Sequence, residues 1–372
     1  MKKILITSTD MMMMQFLVPH VLHLKELGYD VEVACSEVGG RFDEVKETLA
    51  DVKVHKVDLY RSPLQIKNFN GLKQLKRIIN ASSYDLIWTN EPVMGVMTRL
   101  AAKKARKRNT KVLYMAHGFH FYDGAPKLNW LIYYPIEKMM ASKTDVIVTI
   151  NKEDLARAQR FKCKDVRYVH GIGINTDRLT RSKGERYLRS ELGISEDSFI
   201  VLSVGELNDN KNQSVIIKAL GSLKKNDIHY VLCGKGANMD SLKALADSLG
   251  IGSNVHFLGY RRDVVDICSE ADVFAMPSKR EGLPVASLEA MYCGLPLVTS
   301  RCRGIVDVME DGVTGFMHDF DDVQGFATSI SELKDNAKLR ESMGEENKKR
   351  VTPYCLEETK NEILKIIIDI LG

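Results

Sequence analysis

Two acidic residues eight positions apart indicate a binding site for a ligand rich in hydroxyl groups. Glu281 and Glu289 bracket the sequence EGLPVASLE. Pro284 suits the first turn of a helix, so Glu281 is expected in a loop and Glu289 on the helix that follows. Glu289 shares an apolar helix face with Val285, where a carboxylate is costly unless it is hydrogen-bonded. A ribose diol would satisfy Glu289, but so would a neighbouring arginine or a backbone amide.

A second group of residues has the composition of a phosphate site. Gly205 follows a predicted strand, and Lys211 precedes a predicted helix at 214–223. The N-terminus of a helix offers unpaired amides and the positive end of the helix dipole, both of which favour a pyrophosphate. Gly234, after the next predicted strand, suits a turn that a ligand approaches closely. Each segment alone also fits an ordinary surface turn, since neither is a P-loop or a GxGxxG sequence.

A histidine at the end of another predicted strand could contact a sugar. His117 follows the strand at 112–116 and precedes Gly118. In doubly wound folds, ligands bind beyond the carboxyl ends of the strands. A neutral imidazole at that position could hydrogen-bond a sugar hydroxyl, although a structural role for a single histidine fits the position equally well.

Two tandem arrays of strands and helices must position these residues. Strands are predicted at 3–8, 31–35, 52–57, 85–89, 112–116, 145–150, 199–204, 228–233, 254–258, 272–277 and 296–300. Their alternation with helices predicts parallel sheets covered on both faces. A break in periodicity near 171–185 predicts two Rossmann-like domains, 1–172 and 173–355, with a helix at 356–372 that packs back across the junction.

Composition restricts the partners and the compartment. The 372 residues are 44% hydrophobic and 27% charged, as in ordinary globular proteins with enough apolar material for two cores. A net charge of +4 is too small to indicate a nucleic-acid-binding protein. The seven cysteines form no CxxC pair, which predicts a reducing compartment and no zinc site. With neither a signal sequence nor about 18 consecutive apolar residues, a cytoplasmic location is expected.

One local cluster of charge could bind a membrane surface. It contains Lys103, Lys104, Arg106, Lys107, Arg108 and Lys111 and has no acidic residue. Such a run is either a solvated helix face or a patch that binds anionic lipid headgroups. The second interpretation predicts peripheral association with the inner face of the membrane.

The motifs resemble those of the retaining GT-B glycosyltransferases of family 4, especially the capsular and exopolysaccharide branch. The EGLPVASLE segment is similar to the spaced acidic pair of that family. The segments AHGFH, VGELNDNKN, CGKG, LGYR and DGVTG match further motifs in the same order, along nearly the whole chain.

The resemblance implies two Rossmann-like domains whose parallel sheets face an interdomain cleft. It also implies a retaining, metal-independent hexosyl transfer without a cofactor. The implied donor is a nucleotide sugar, with UDP preferred to GDP as the carrier. The implied acceptor is a lipid-linked saccharide or a growing polysaccharide, bound to the N-terminal domain.

The resemblance also assigns roles to single residues. Glu289 would hold the ribose hydroxyls, and Lys211 would neutralise the pyrophosphate. Glu281 and His117 would contact the donor sugar from the two domains. The remaining donor-binding positions are Gly205, Gly234, Arg261, Gly282 and Leu283. No metal is implied, because Lys211 and a helix dipole supply the positive field.

Two positions depart from the family pattern. Glu206 stands where the family often has arginine, and an acid repels a diphosphate by about 1 kcal/mol at about 4 Å in water. Glu206 must therefore face away, or Arg261, Arg301 or Arg303 must compensate. In addition, the sequence TDMMMM at 9–14 replaces the early glycine-rich loop of the family.

Two other functions are compatible with the same fold. A sugar-nucleotide epimerase needs acid and base groups around the sugar ring, for which only His117 and Glu281 are candidates. A non-catalytic protein that binds sugar nucleotides and assists another transferase is compatible with Glu206. The presence of Lys211, Glu281 and Glu289 argues against that role.

Overall fold

The computed structural model describes residues 1–37, 42–63, 65–180 and 187–372. Within these residues the chain divides into two compact units. Unit 1 comprises Met1–Gly173 together with Glu357–Gly372, and unit 2 comprises Ile174–Leu356. The division falls in the region where the sequence periodicity breaks, of which 181–185 lie outside the described residues.

Unit 1 is built on a sheet of seven parallel strands in the order β3-β2-β1-β4-β5-β6-β7. The strands are β1 (Lys3–Asp10), β2 (Asp30–Ser36), β3 (Lys53–Lys56), β4 (Leu86–Asn90), β5 (Lys111–Ala116), β6 (Val146–Thr149) and β7 (Asp165–Tyr168). The helices are α1 (Met11–Glu26), α2 (Phe42–Thr48), α3 (Asn68–Ala81), α4 (Pro92–Ala101), α5 (Lys103–Arg106), α6 (Lys127–Ala141) and α7 (Lys152–Ala158).

Unit 2 is built on six parallel strands in the order β10-β9-β8-β11-β12-β13. Its first elements are α8 (Thr176–Thr180), α9 (Leu188–Leu192), β8 (Phe199–Val204), α10 (Ser214–Leu223), β9 (Ile228–Cys233), α11 (Met239–Ser248), β10 (Val255–Gly259) and α12 (Val264–Glu270). The remainder are β11 (Val273–Met276), α13 (Val285–Tyr292), β12 (Leu297–Ser300), α14 (Ile305–Val308), β13 (Gly315–His318), α15 (Val323–Asp335) and α16 (Ala337–Arg350). The last helix, α17 (Leu356–Leu371), lies almost entirely in unit 1.

The two parallel sheets confirm the predicted α/β class with two Rossmann-like arrays. Strand β8 shows why its sequence is apolar throughout. Ile200 and Leu202 enter one core of unit 2, whereas Phe199 and Val201 enter another. Alternate side chains of a strand point to opposite faces of its sheet, so both faces of this sheet are buried.

The sequence did not reveal strands β7 and β13, each at an edge of its sheet. β7 has the sequence DVRY, in which every residue is half-buried, and β13 has the sequence GFMH. An edge strand pairs on one side only and lacks the continuous apolar run of a central strand. Helix α1 begins at Met11, because the Asp10 carboxylate accepts a hydrogen bond from the Met13 amide at 3.1 Å and caps the helix.

A buried ionic network fixes helix α6 over β5. Arg99 of α4 is fully buried, and its Nη2 donates to Glu137 Oε2 of α6 at 2.9 Å. The Tyr114 hydroxyl of β5 donates to the other oxygen of Glu137 at 3.1 Å, and the guanidinium lies 4.0 Å from the Tyr114 ring centroid. Both carboxylate oxygens are therefore satisfied, as a buried acid requires. The network holds α6 against the strand that leads to His117.

Candidate functional site

The loops at the carboxyl ends of β8, β9 and β10 are joined by backbone hydrogen bonds. The amide of Gly205 donates to the Cys233 carbonyl at 2.9 Å, and the amide of Gly234 donates to the Gly259 carbonyl at 2.7 Å. Gly234 has φ +154°, and a Cβ on it would lie 1.8 Å from the Gly205 carbonyl oxygen. Only glycine fits this approach, so the two predicted phosphate loops are one backbone assembly.

Lys211 and Glu281 meet at this assembly. Lys211 Nζ lies 2.8 Å from Glu281 Oε1, and the two side chains are 23% and 11% exposed. A Cβ on Gly205 would lie 3.4 Å from the Cε atom of Lys211, so the lysine stem lies beside that glycine. The structure thus brings the predicted site residue Glu281 to Gly205 and Lys211, although Glu281 lies 70 residues after Lys211 in the chain.

The loop after β12 supports the backbone of Glu281 and Gly282. Arg303 Nε donates to the Glu281 carbonyl at 3.2 Å. A Cβ on Gly304, which has φ +81°, would lie 2.6 Å from the Gly282 carbonyl oxygen. Leu283 packs against the core of unit 2, and its carbonyl accepts from the Val285 amide at 3.0 Å as α13 begins. This packing fixes the start of the helix that carries Glu289.

Glu289 forms an ion pair with an arginine, which is one of the outcomes the sequence left open. The Glu289 carboxylate is largely buried and pairs with Arg178 of α8, whose side chain is 58% exposed. Burial raises the pKa of Glu289, and Arg178 partly opposes that shift. An exposed arginine can be displaced at little cost, so the pair does not preclude a ribose contact.

The arginines considered as compensation for Glu206 already have partners. Arg261 pairs with Glu191 at 2.6 Å and with Asp263, and these contacts raise the pKa of the arginine. Arg301 lies 2.7 Å from Asp311, and Arg303 contacts the Glu281 carbonyl. The side chain of Glu206 is exposed to solvent.

Sequence reasoning missed a cation beside these loops. Lys235 lies between the close-packed Gly234 and Gly236, and it is exposed. It forms no ion pair with the described residues. Its position within the motif CGKG could have identified it, since the segment was considered only for its glycines.

His117 lies in unit 1 at the carboxyl end of β5. Its Nε2 is 3.0 Å from Asn90 Oδ1, and Asn90 Nδ2 donates to the Thr7 carbonyl at 3.1 Å. Since Asn90 Oδ1 must accept, the proton of the neutral imidazole resides on Nε2 and Nδ1 remains an acceptor. Burial lowers the pKa of His117 to about 4. The side chain is therefore neutral at physiological pH and suited to accept a hydrogen bond from a hydroxyl group.

A cavity of about 240 Å³ lies at the same edge of unit 1. Its lining residues are Thr9, Arg61, Glu91, Pro92, Val93, His120 and Tyr133. The rings of His120 and Tyr133 stack with centroids 4.5 Å apart, and Arg61 pairs with the carboxylate of Asp10. The cavity thus combines an aromatic wall with both signs of charge.

Glu91 is an unusual residue in this cavity. Its φ is +63°, a conformation that is uncommon for residues other than glycine and is often found at functional sites. Glu91 Oε2 accepts from the Ser8 hydroxyl at 2.8 Å and from the Thr9 amide at 2.7 Å. Burial raises the pKa of Glu91. Among the described residues Oε1 has no hydrogen-bond donor. A positive φ has no signature in the sequence, so Glu91 was not predicted.

Neither a metal centre nor a membrane-spanning helix is found among the described residues. They contain no group of three or more His, Cys, Asp or Glu side chains placed to hold a metal ion. None of their helices has the length and apolar character needed to cross a membrane.

Family models match both halves of the chain. The model for glycosyl transferases group 1 matches residues 185–350, and the glycosyl transferase 4-like model matches residues 4–151. The chain is 36% identical to EpsD of Bacillus subtilis (strain 168), which carries the name glycosyltransferase, over 98% of this chain and 96% of that protein.

A second relative and a solved structure extend this likeness. The chain is 25% identical to the UDP-Gal:alpha-D-GlcNAc-diphosphoundecaprenol alpha-1,3-galactosyltransferase of Escherichia coli, over 92% of this chain and 90% of that protein. Anabaena HepE, crystallised with UDP and glucose, is similar in fold with a TM-score of 0.80 and 18% identity. That match covers 99% of this chain and 100% of the HepE chain.

The contact between Gly234 and Gly205 can be tested by adding one methyl group. We expect Gly234→Ala to lower the free energy of unfolding by about 2–4 kcal/mol, because backbone must move to admit the Cβ. Gly250→Ala is the matched control, since Gly250 also has a positive φ but has open space around it. Its expected loss is about 1 kcal/mol. Equal losses in calorimetric unfolding would show that the close contact is absent.

Proposed function

Because the chain belongs to the GT4-type glycosyltransferases of the GT-B fold, we propose that it transfers a sugar from a UDP-sugar to a lipid-linked saccharide in exopolysaccharide synthesis. The donor site is the carboxyl edge of unit 2, and the acceptor site is the corresponding edge of unit 1. The observation that carries this proposal is the Lys211–Glu281 pair beside Gly205. The pair places a cation, and a carboxylate that can accept hydrogen bonds from hydroxyl groups, at a glycine-lined loop. GDP-sugars are the second choice of donor.

The donor would exchange partners with the paired charges of unit 2. Lys211 would leave Glu281 and form an ion pair with the diphosphate. Glu281 would then accept hydrogen bonds from the sugar hydroxyls. Glu289 would likewise exchange exposed Arg178 for the ribose diol. Lys235 supplies a second cation beside the phosphates, in place of the arginine that the family often has at position 206. These charges would stabilise the departing diphosphate without a metal.

The transfer would proceed with retention of configuration. The bond between the anomeric carbon and the diphosphate oxygen breaks, and a bond from that carbon to the acceptor oxygen forms on the same face of the sugar. The acceptor proton passes to the departing diphosphate. His117, neutral and with Nδ1 free to accept, would hold a hydroxyl of the donor sugar.

The choice of UDP and of a lipid-linked acceptor is supported by two comparisons. The Escherichia coli relative is named for UDP-Gal and for a diphosphoundecaprenol-linked sugar, and HepE was crystallised with UDP. The cavity of unit 1 suits a sugar for two reasons. Glu91 can accept hydrogen bonds from sugar hydroxyls, and the stacked rings of His120 and Tyr133 offer an apolar face. We place the reaction in the cytoplasm, at the inner face of the membrane.

A screen of UDP- and GDP-sugars tests the proposal directly. A bound donor at about 100 times its Kd should raise the free energy of unfolding by about 2.7 kcal/mol in a thermal-shift assay. With a polyprenyl diphosphate-linked sugar added, NMR of the product should show the anomeric configuration of the donor, and EDTA should leave the rate unchanged. Inversion or loss of activity with EDTA would overturn the mechanism. Conversion of the donor sugar without acceptor would indicate the epimerase alternative.

The role of Lys211 can be separated from that of its ion pair. We expect Lys211→Ala to weaken UDP binding by about 10–100-fold in calorimetry, because a charged hydrogen bond to phosphate is lost. Lys218→Ala, at an exposed position of α10, is the matched control and should bind UDP normally. In the double variant Lys211→Ala/Glu281→Gln the loss should persist. Restored binding there would mean that Lys211 only neutralises Glu281.

The role of Glu91 can be tested with a variant of equal size. We expect Glu91→Gln to raise the acceptor KM by about 10-fold or more, because an acceptor oxygen facing the cavity is replaced. The Kd of UDP should not change, since the donor binds to unit 2. Glu358→Gln, at an exposed position of α17, provides the control. An unchanged acceptor KM would remove Glu91 from the acceptor site.

A further inference from the structure

Positive charge is concentrated in three segments of unit 1. Residues 61–84, 92–111 and 124–144 contain fifteen Lys or Arg residues and a single acid, Glu137, for a net charge of +14. Glu137 is buried in its pair with Arg99. The whole chain has a net charge of only +4. The predicted cluster at 103–111 is therefore part of a much larger basic region.

These segments form one layer of helices. α3 contacts α4 and α5, and α4 contacts α6. The strand order runs one way from β1 to β3 and the other way from β4 to β6, so right-handed connections place α3–α6 on the face opposite α1 and α2. On the face of α1 and α2, residues 11–29 and 42–52 carry five acids and two lysines. We call the layer of α3–α6, with residues 61–63 and 65–67, the basic face.

The cations of the basic face are largely unpaired. Among the described residues, ten exposed cations of this layer have no carboxylate partner. They are Lys67, Lys73, Lys76, Arg77, Lys103, Lys104, Lys107, Arg108, Lys127 and Lys138. A layer of unpaired cations repels itself and attracts an extended anionic surface.

The same layer exposes large apolar side chains. Ile66 is 82% exposed, Leu131 74%, Phe69 64% and Leu128 62%. After Met1, these are the four most exposed large hydrophobic residues of the described chain. They lie in the residues just before α3 and in the first turns of α3 and α6. Both helices begin at the carboxyl edge of the sheet, where the cavity with Glu91 and Tyr133 lies.

We infer that the basic face docks on a bilayer that contains anionic lipids, with Ile66, Phe69, Leu128 and Leu131 inserted among the headgroups. Charge complementarity supplies the attraction between the basic face and the anionic lipids. The exposed apolar side chains favour a bilayer over a nucleic acid, because a bilayer has an apolar interior into which they can insert. The insertion lies at the edge of unit 1 that holds the cavity, so a sugar carried on a membrane lipid can reach Glu91. The inference deepens the proposed function by naming the surface that delivers its acceptor.

Flotation with vesicles tests the docking surface in the full-length protein. The protein should bind vesicles of equal parts phosphatidylcholine and phosphatidylglycerol, and high salt should weaken this binding. The triple variant Lys103→Glu/Lys104→Glu/Lys107→Glu should bind about 100-fold more weakly, since each cation near an anionic surface contributes about fivefold. Leu128→Asn/Leu131→Asn should weaken binding by about 10-fold or more.

Matched substitutions elsewhere provide the controls. Lys218→Glu/Lys243→Glu/Lys338→Glu changes the net charge equally but alters exposed lysines of unit 2, and it should retain nearly full vesicle binding. An equal loss in both triple variants would show that only net charge matters. Binding to duplex DNA but not to vesicles, or unchanged binding by either basic-face variant, would overturn the inference.

A water-soluble acceptor separates this inference from the proposed function. The basic-face variants should transfer sugar normally to a short-chain diphosphate-linked acceptor in detergent-free buffer, while losing transfer to the same sugar on a long lipid in vesicles. Loss of activity with both acceptors would contradict the docking role. If wild-type protein transfers to neither acceptor but still binds vesicles, the proposed function fails and the docking surface stands.

Discussion

The site in unit 2 depends on one steric constraint, the backbone contact between Gly234 and Gly205. Parallel strands bring all their carboxyl ends to one edge of the sheet, but the loops there could splay apart. The contact, which leaves no room for a Cβ, holds the loops after β8 and β9 together. Lys211 lies beside Gly205 and reaches Glu281 from the loop after β11. The charged groups that could bind a donor are thus positioned by backbone rather than by flexible side chains.

Three carboxylates at the candidate sites are paired with cations within the protein. Lys211 pairs with Glu281, Glu289 with Arg178, and Asp10 with the Arg61 guanidinium. A buried carboxylate is costly without a partner, and each of these ion pairs supplies one. A nucleotide sugar offers both phosphate oxygens and hydroxyls, so it could replace both members of such a pair in one step. A ligand with only phosphate oxygens or only hydroxyls would leave one member of the pair without a partner. The paired charges therefore favour binding of a nucleotide sugar over either kind of ligand.

Unit 1 combines a strained site with an asymmetric surface. The positive φ of Glu91 is held by the Ser8 and Thr9 hydrogen bonds, and the network of Arg99, Tyr114 and Glu137 fixes α6 nearby. Because α6 supplies both Tyr133 of the cavity and exposed Leu131, one helix connects the cavity to the outer surface of the basic face. If the cavity binds a sugar as proposed, the lipid carrier of that sugar would lie on the same side of unit 1.

The sequence alone determined the two α/β arrays, because buried central strands need apolar residues on both faces. It also determined the EGLP and CGKG motifs and the family, confirmed by the match to EpsD. The sequence did not predict the edge strands β7 and β13, because a strand that pairs on one side only does not need apolar residues on both faces. Only the tertiary structure could show that Glu289 meets Arg178, that Glu91 adopts a positive φ, and that three basic segments share a face. The ion pair and the shared face depend on contacts between residues that are far apart in the chain. The backbone angle of Glu91 depends on its surroundings and cannot be read from residue type.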